Sequence, residues 1–164
     1  MSYYMSIDEV YQVGVEIEKN GRAFYQAAAR ATSDPEVKTL CEELAAWETK
    51  HVELFENLRR ELPEGAREGA AFDPAAEERQ YLKATADSHV FVANKEMSAL
   101  VSRCTSSAAL LDLAIQFEKD SVVFYSAMKQ LLPPCDACGS LDALIDEELR
   151  HIGILTAQRA KAKG

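Results

Sequence analysis

The sequence predicts an all-α fold: a four-helix bundle built as two helical hairpins, with a long helical crossover between the second and third helices. Two observations predict it. Apolar residues recur at three-, four- and seven-residue steps through four long stretches, as helices with one buried face require. In addition, Glu18, Phe24, Tyr25, Glu48 and His51 return as Glu118, Phe124, Tyr125, Glu148 and His151, each 100 positions on. A carboxylate, an aromatic pair and a Glu-x-x-His that keep one offset over more than thirty residues mark an internal duplication. The hairpins are expected over 6–62 and 105–163, the crossover over 63–104, and the whole of 1–164 as a single domain.

Ser6-Ile7-Asp8-Glu9 reads as a capping box that opens the first helix, which should run to about Ala31. Val10, Val13, Ile17, Phe24 and Ala28 form its apolar stripe, with Glu18 beside it. Gly21 lies one turn beyond Glu18. Glycine costs a helix roughly 1 kcal/mol relative to alanine, so its place there points to a need for room. Ser121 gives the second half a similarly small side chain.

Ser33-Asp34-Pro35 opens the second helix, because proline is tolerated in a first turn and the residue before it can cap. That helix should reach about Leu62, before Pro63 and Gly65, with Cys41, Leu44, Glu48, His51 and Phe55 facing inward. Cys41 is read as a small core residue.

Within the crossover, Gly65, Gly69 and Pro74 mark a loop, Ala75 to about Val92 reads as a helix, and Asn94 to Arg103 as a shorter one. Tyr81, Leu82, Val90, Phe91, Val92, Met97 and Leu100 are more apolar residues than a solvated loop needs. They either fold back on their own bundle or pack against a second copy of the chain, and a homodimer is the expected assembly. His89 is read as an interfacial or solvated histidine.

Thr105-Ser106-Ser107 caps the third long helix, which carries Leu110, Ile115, Phe117, Phe124 and Met128 and ends before Pro133-Pro134. The fourth is expected from Ser140, with Leu141, Leu144, Ile145, Glu148, His151, Ile152 and Leu155 inward. Between them, Cys135 and Cys138 form one Cys-x-x-Cys. Two thiolates are half a tetrahedral metal site, so the pair is read as a reduced loop, with a redox or shared-metal role as the less favoured alternative.

A hydrophobic share of 48% and a charged share of 27% describe an ordinary globular chain and argue against disorder. The net charge of −9 argues against nucleic acid or an anionic membrane as partner, since both need concentrated Lys and Arg. No basic stretch precedes an apolar run at the N-terminus, and no apolar segment is long enough to span a bilayer, so a cytoplasmic location is expected. Four cysteines in such a chain do not make a disulfide framework.

The duplicated residues carry the chemistry. Residues three apart share a helix face, so Glu48 points with His51 and Glu148 with His151. Four helices that contribute Glu, Glu-x-x-His, Glu and Glu-x-x-His inward present the ligand set of di-iron and di-manganese carboxylate bundles. Four carboxylates balance two divalent cations, whereas four buried without metal would have to protonate or pair. A single Glu-x-x-His is commonly a surface motif; two in register, each with a matching Glu and Tyr on the partner helix, are not.

At these residues the chain resembles the rubrerythrin-like branch of the ferritin-like di-iron carboxylate proteins, over most of its length. The resemblance implies a ferritin-like bundle in which Glu48 and Glu148 bridge two metal ions, Glu18 and His51 complete one, and Glu118 and His151 complete the other. Tyr25 and Tyr125 would hydrogen-bond the ligands without binding metal. Iron is the implied metal, although manganese or zinc can fill the same ligands. The implied activity is reduction of hydrogen peroxide or dioxygen with electrons from an external donor protein, or through the Cys135/Cys138 pair. The alternatives are ferroxidase activity for iron sequestration, or a structural helical bundle without catalysis. Two features depart from the family. Ser121 stands where rubrerythrins usually carry a further glutamate, and no rubredoxin domain follows within these residues.

Overall fold

A computed structural model of the chain describes residues 6–64, 84, 96–131 and 136–162. Helix α1 spans Ile7–Ala31, α2 Pro35–Glu61, α3 Met97–Ser102, α4 Ser107–Leu131 and α5 Asp136–Lys161. The described residues contain no strand. Helix α1 packs along α2, and α4 along α5; the two hairpins meet where α1 faces α4 and α2 faces α5. This is the expected four-helix bundle.

Local chemistry sets the helix ends. The Ser6 hydroxyl accepts from the Glu9 backbone N–H at 3.2 Å, and the Glu9 carboxylate accepts from the Ser6 N–H at 2.7 Å, which completes the capping box. Asp34 accepts from the N–H groups of Glu36 and Val37 at 2.9 and 3.2 Å, with Pro35 in the first turn where its missing N–H costs nothing. Only Thr32, Ser33 and Asp34 separate α1 from α2, so the two must run antiparallel. Ser106 starts α4 by accepting from the Ala109 N–H at 3.1 Å.

One boundary differs from the sequence expectation. Helix α5 begins at Asp136 and not at Ser140, so Cys138 and Gly139 belong to its first turn and not to a loop. An acidic residue two positions after Pro134 is a sequence signal for a helix start, since acidic residues are favoured in a first turn. Cys135, like His89 and the expected helix from Ala75 to Val92, lies outside the described residues, as does the side chain of Cys138.

The core runs the length of the bundle. Phe24, Tyr25, Phe55, Phe117, Phe124, Tyr125 and Met128 are all fully buried within it. Phe24 meets Phe117 edge to face at 4.6 Å, which joins α1 to α4. Gly14 lets α1 approach the ring of Phe55 on α2, since a β-carbon there would lie 2.9 Å from it. In the crossover, α3 packs against α1 and buries Met97 and Val101, while Leu100 is partly covered by the same core. Met97 and Leu100 therefore fold back on their own chain; Tyr81, Leu82, Val90, Phe91 and Val92 lie outside the described residues.

The duplication also reappears in braces between helices. Arg59 forks onto Asp8, with two contacts of 3.0 Å, and reaches Gln12, so the end of α2 is tied to the start of α1. Arg159, 100 positions later, bonds Asp112 at 2.8 Å and ties the end of α5 to the start of α4. No helix among the described residues is long and apolar enough to cross a membrane.

Candidate metal centre

All six duplicated candidate ligands converge within the bundle. Glu18, Glu48, His51, Glu118, Glu148 and His151 are each at most 5% exposed, a depth at which carboxylates are almost never found unless paired or coordinated. Their ligand atoms form two groups, Glu18/Glu48/His51 and Glu118/Glu148/His151. Within each group the atoms lie within 4.8 Å of one another, close enough to share one ion.

The geometry links the groups. Oε1 of Glu148 lies 3.2 Å from Nδ1 of His51, and its Oε2 lies 3.0 Å from Nδ1 of His151, so one carboxylate spans both imidazoles. Nδ1 of His51 also lies 3.3 Å from Glu18 and 3.8 Å from Glu48. Its Nε2 makes a 2.9 Å hydrogen bond with Glu147. With metal in place of the proton, a neutral ring that donates through Nε2 would turn its Nδ1 lone pair toward the ion. The contact with Glu148 is close but lacks hydrogen-bond alignment: Nδ1 of His51 and Oε1 of Glu148 are both buried without a hydrogen-bond partner. A buried imidazole nitrogen and a carboxylate oxygen that face each other without hydrogen-bond partners suit a cation between them, a proton in the metal-free chain or a metal ion in its place.

The electrostatics lead to the same conclusion. Burial, and then the neighbouring charge of Glu18, raises the Glu48 carboxyl well above its usual range; burial followed by Glu148 does the same to Glu118. Glu148 is raised as well, first by burial. Glu18 is the exception: burial opposes its charge, but hydrogen bonds with Glu48, His51 and Tyr125 outweigh that and hold it low. Burial likewise disfavours a charged His51, but the carboxylates of Glu148, Glu18 and Glu48 prevail and raise its pKa. The metal-free centre thus holds protons where divalent cations would put positive charge.

The tyrosines bond across the bundle. Tyr25 on α1 donates to Glu118 on α4, and Tyr125 on α4 donates to Glu18 on α1. Burial, and then the facing carboxylate, pushes both phenols well above their usual range, so they remain donors. Each tyrosine thus bonds a carboxylate of the other half.

No protein-family model matches the sequence, and no curated protein matches it. Among solved structures, a crystal structure from Thermotoga maritima matches over 98% of this chain and 98% of its own, with a TM-score of 0.73 and 24% identity. That protein is provisionally described as a ferritin-like diiron-carboxylate protein. The fold of this chain is ferritin-like. In ferritin-like terms, α1, α2, α4 and α5 are the four bundle helices, and the two Glu/Glu/His groups sit between them.

Sequence reasoning overlooked two neighbours of this candidate centre. Glu147 backs His51, and at the duplicated position Trp47 lies with its ring 6.0 Å from that of His151. The available signal was a mismatch inside the repeat, an indole and a carboxylate at the residue just before each Glu-x-x-His.

Proposed function

We propose that this chain is a rubrerythrin-like di-iron oxidoreductase that reduces hydrogen peroxide or dioxygen with electrons from an external donor protein. The observation that carries the reading is the pair of buried Glu/Glu/His groups joined through Glu148, with Nδ1 of His51 and Oε1 of Glu148 lacking partners. Carboxylate oxygens and imidazole nitrogens form a donor set suited to divalent iron, and to manganese or zinc as well.

Glu18 and His51 would hold one ion and Glu118 and His151 the other, with Glu48 and Glu148 between them. A bound pair of irons would supply two electrons by passing from the diferrous to the diferric state; peroxide that takes them up with two protons gives two waters. The chain contributes position and dryness. Tyr25 and Tyr125 fix the carboxylates of Glu118 and Glu18, and the buried rings of Phe24 and Phe124 pack against those tyrosines.

The test is turnover by protein loaded anaerobically with ferrous iron, with peroxide or dioxygen as oxidant and an artificial one-electron donor as reductant. Peroxide consumption that saturates and recurs over many cycles is the expected result. Iron oxidised once and then retained would support ferroxidase or sequestration activity instead. Protein that binds no iron would be a structural bundle.

A further inference from the structure

The duplication makes the two halves nearly equivalent, so a departure from equivalence at the ligands stands out. Positions 47 and 147 correspond, each directly before its Glu-x-x-His, and one is Trp47 while the other is Glu147. Because α2 lies beside α5, each faces the histidine of the opposite half. Glu147 bonds Nε2 of His51 at 2.9 Å, while the Trp47 ring lies 6.0 Å from that of His151, with Lys50 Nζ over the indole 3.8 Å from its centroid. Among the described residues, His51 alone of the two histidines has a carboxylate on its remote nitrogen.

We propose that the two metal positions are unequal, and that the one built on His51 binds first and more tightly because Glu147 holds that imidazole in place from behind. The inference rests on the reading of the site as a metal centre. A carboxylate on the remote nitrogen fixes which nitrogen bears hydrogen and which faces the ion, and holds the ring in the orientation that coordination needs. The bond is already formed between Glu147 and His51, with Nδ1 aimed at Glu18 and Glu148. An indole against His151 packs the ring but offers no acceptor, since indole is a donor only. On this proposal Glu147 is a positioning residue. It acts on one position and leaves the other untouched.

Binding of Co(II) to the metal-free full chain, followed by calorimetry, tests the proposal. Repulsion between two ions separates the binding steps even at equal sites, so single-histidine variants are compared. His151→Ala, which retains the backed histidine, is expected to bind Co(II) at least about 10-fold more tightly than His51→Ala. Adding Glu147→Gln should weaken the His151→Ala variant by about 10- to 100-fold and leave the His51→Ala variant unchanged. Equal affinities in the two single-histidine variants, or an effect of Glu147→Gln on both alike, would overturn the proposal. In the otherwise unaltered chain, Glu147→Gln must weaken the first of the two steps. An unchanged first step rejects the proposal even if the histidine variants fail to fold. Failure of the unaltered chain to bind Co(II) is a different result, and defeats the metal-centre reading itself.

Discussion

Tyr125 donates its hydroxyl to Oε1 of Glu18 on the other side of the bundle, and Tyr25 makes the matching bond to Oε1 of Glu118. The carboxylates of Glu18 and Glu118 are therefore each held by a phenol from the opposite hairpin. Removing one phenol leaves the carboxylate in reach of metal but less firmly oriented. Tyr125→Phe should keep about two metals per chain while slowing ferrous oxidation by roughly 10- to 100-fold, as loss of an outer hydrogen bond to a ligand typically does. Elemental analysis alongside stopped-flow absorbance checks both parts. Loss of the metal would mean that the tyrosine does more than orient.

Glu148 presents one oxygen to each histidine, at 3.2 and 3.0 Å, whereas Glu118 belongs to a single group. Glu148→Ala should therefore reduce occupancy at both positions, and Glu118→Ala mainly at one. Metal content after equilibrium dialysis should fall from about two per chain to well below one in the first case and to about one in the second. Equal losses from the two variants would show that Glu148 does not span the centre.

Acidity should affect the metal-free and metal-loaded forms in opposite directions. In the metal-free chain, Glu48, Glu118 and Glu148 have raised folded pKa values, so their contribution to stability is complete below the ordinary carboxylate value of 4.5 and is lost as pH rises through the folded values. His51, also raised, acts in the same direction. Glu18 is lowered and contributes above 4.5, and His151, lowered chiefly by burial, contributes above 6.5; both contributions are lost as pH falls. The raised groups outnumber the lowered ones. Chelator-treated protein should have a lower Tm at about pH 8 than at about pH 5, while the stabilisation added by metal should grow over the same interval as protons cease to compete for the ligands. A metal-free Tm that climbs across this interval would contradict the assignment.

Gly14 offers a test remote from the ligands. A β-carbon there would lie 2.9 Å from the fully buried ring of Phe55, which itself packs 5.2 Å from the ring of Tyr125. Overpacking of this kind typically costs about 1–3 kcal/mol. Gly14→Ala should lower Tm by several degrees in thermal unfolding and, because Phe55 packs against Tyr125, should also slow ferrous oxidation. An unchanged Tm would mean that α1 and α2 separate freely at this point.

Much of this architecture could be read from the sequence because its signals are local or repeated. The Ser6/Glu9 capping box and the Asp34-Pro35 start each act within one helical turn, and both helices begin where those signals place them. The six candidate ligands stood out because the repeat marks them twice. The start of α5 was less legible, because Pro133, Pro134 and Gly139 read as loop while Asp136 reads as helix, and no sequence rule weighs one against the other. The crossing of the tyrosine bonds was hidden too. The seven-residue spacing of Glu18 and Tyr25 puts both on one face of α1, yet each is bonded to α4, and that depends on which helices become neighbours. The bond from Glu147 to His51 escaped notice for the same reason, since it crosses from α5 to α2.

Trp47 is the only tryptophan in the chain, and its ring lies 6.0 Å from that of the buried His151 with Lys50 above it. The protein consequently carries one built-in fluorophore beside a candidate ligand. An open-shell ion such as Fe(II) or Co(II) held by His151 should quench its emission, whereas closed-shell Zn(II) should leave it bright. Light from a single indole would then distinguish a filled site from an empty one, and one electronic configuration from another, without any label.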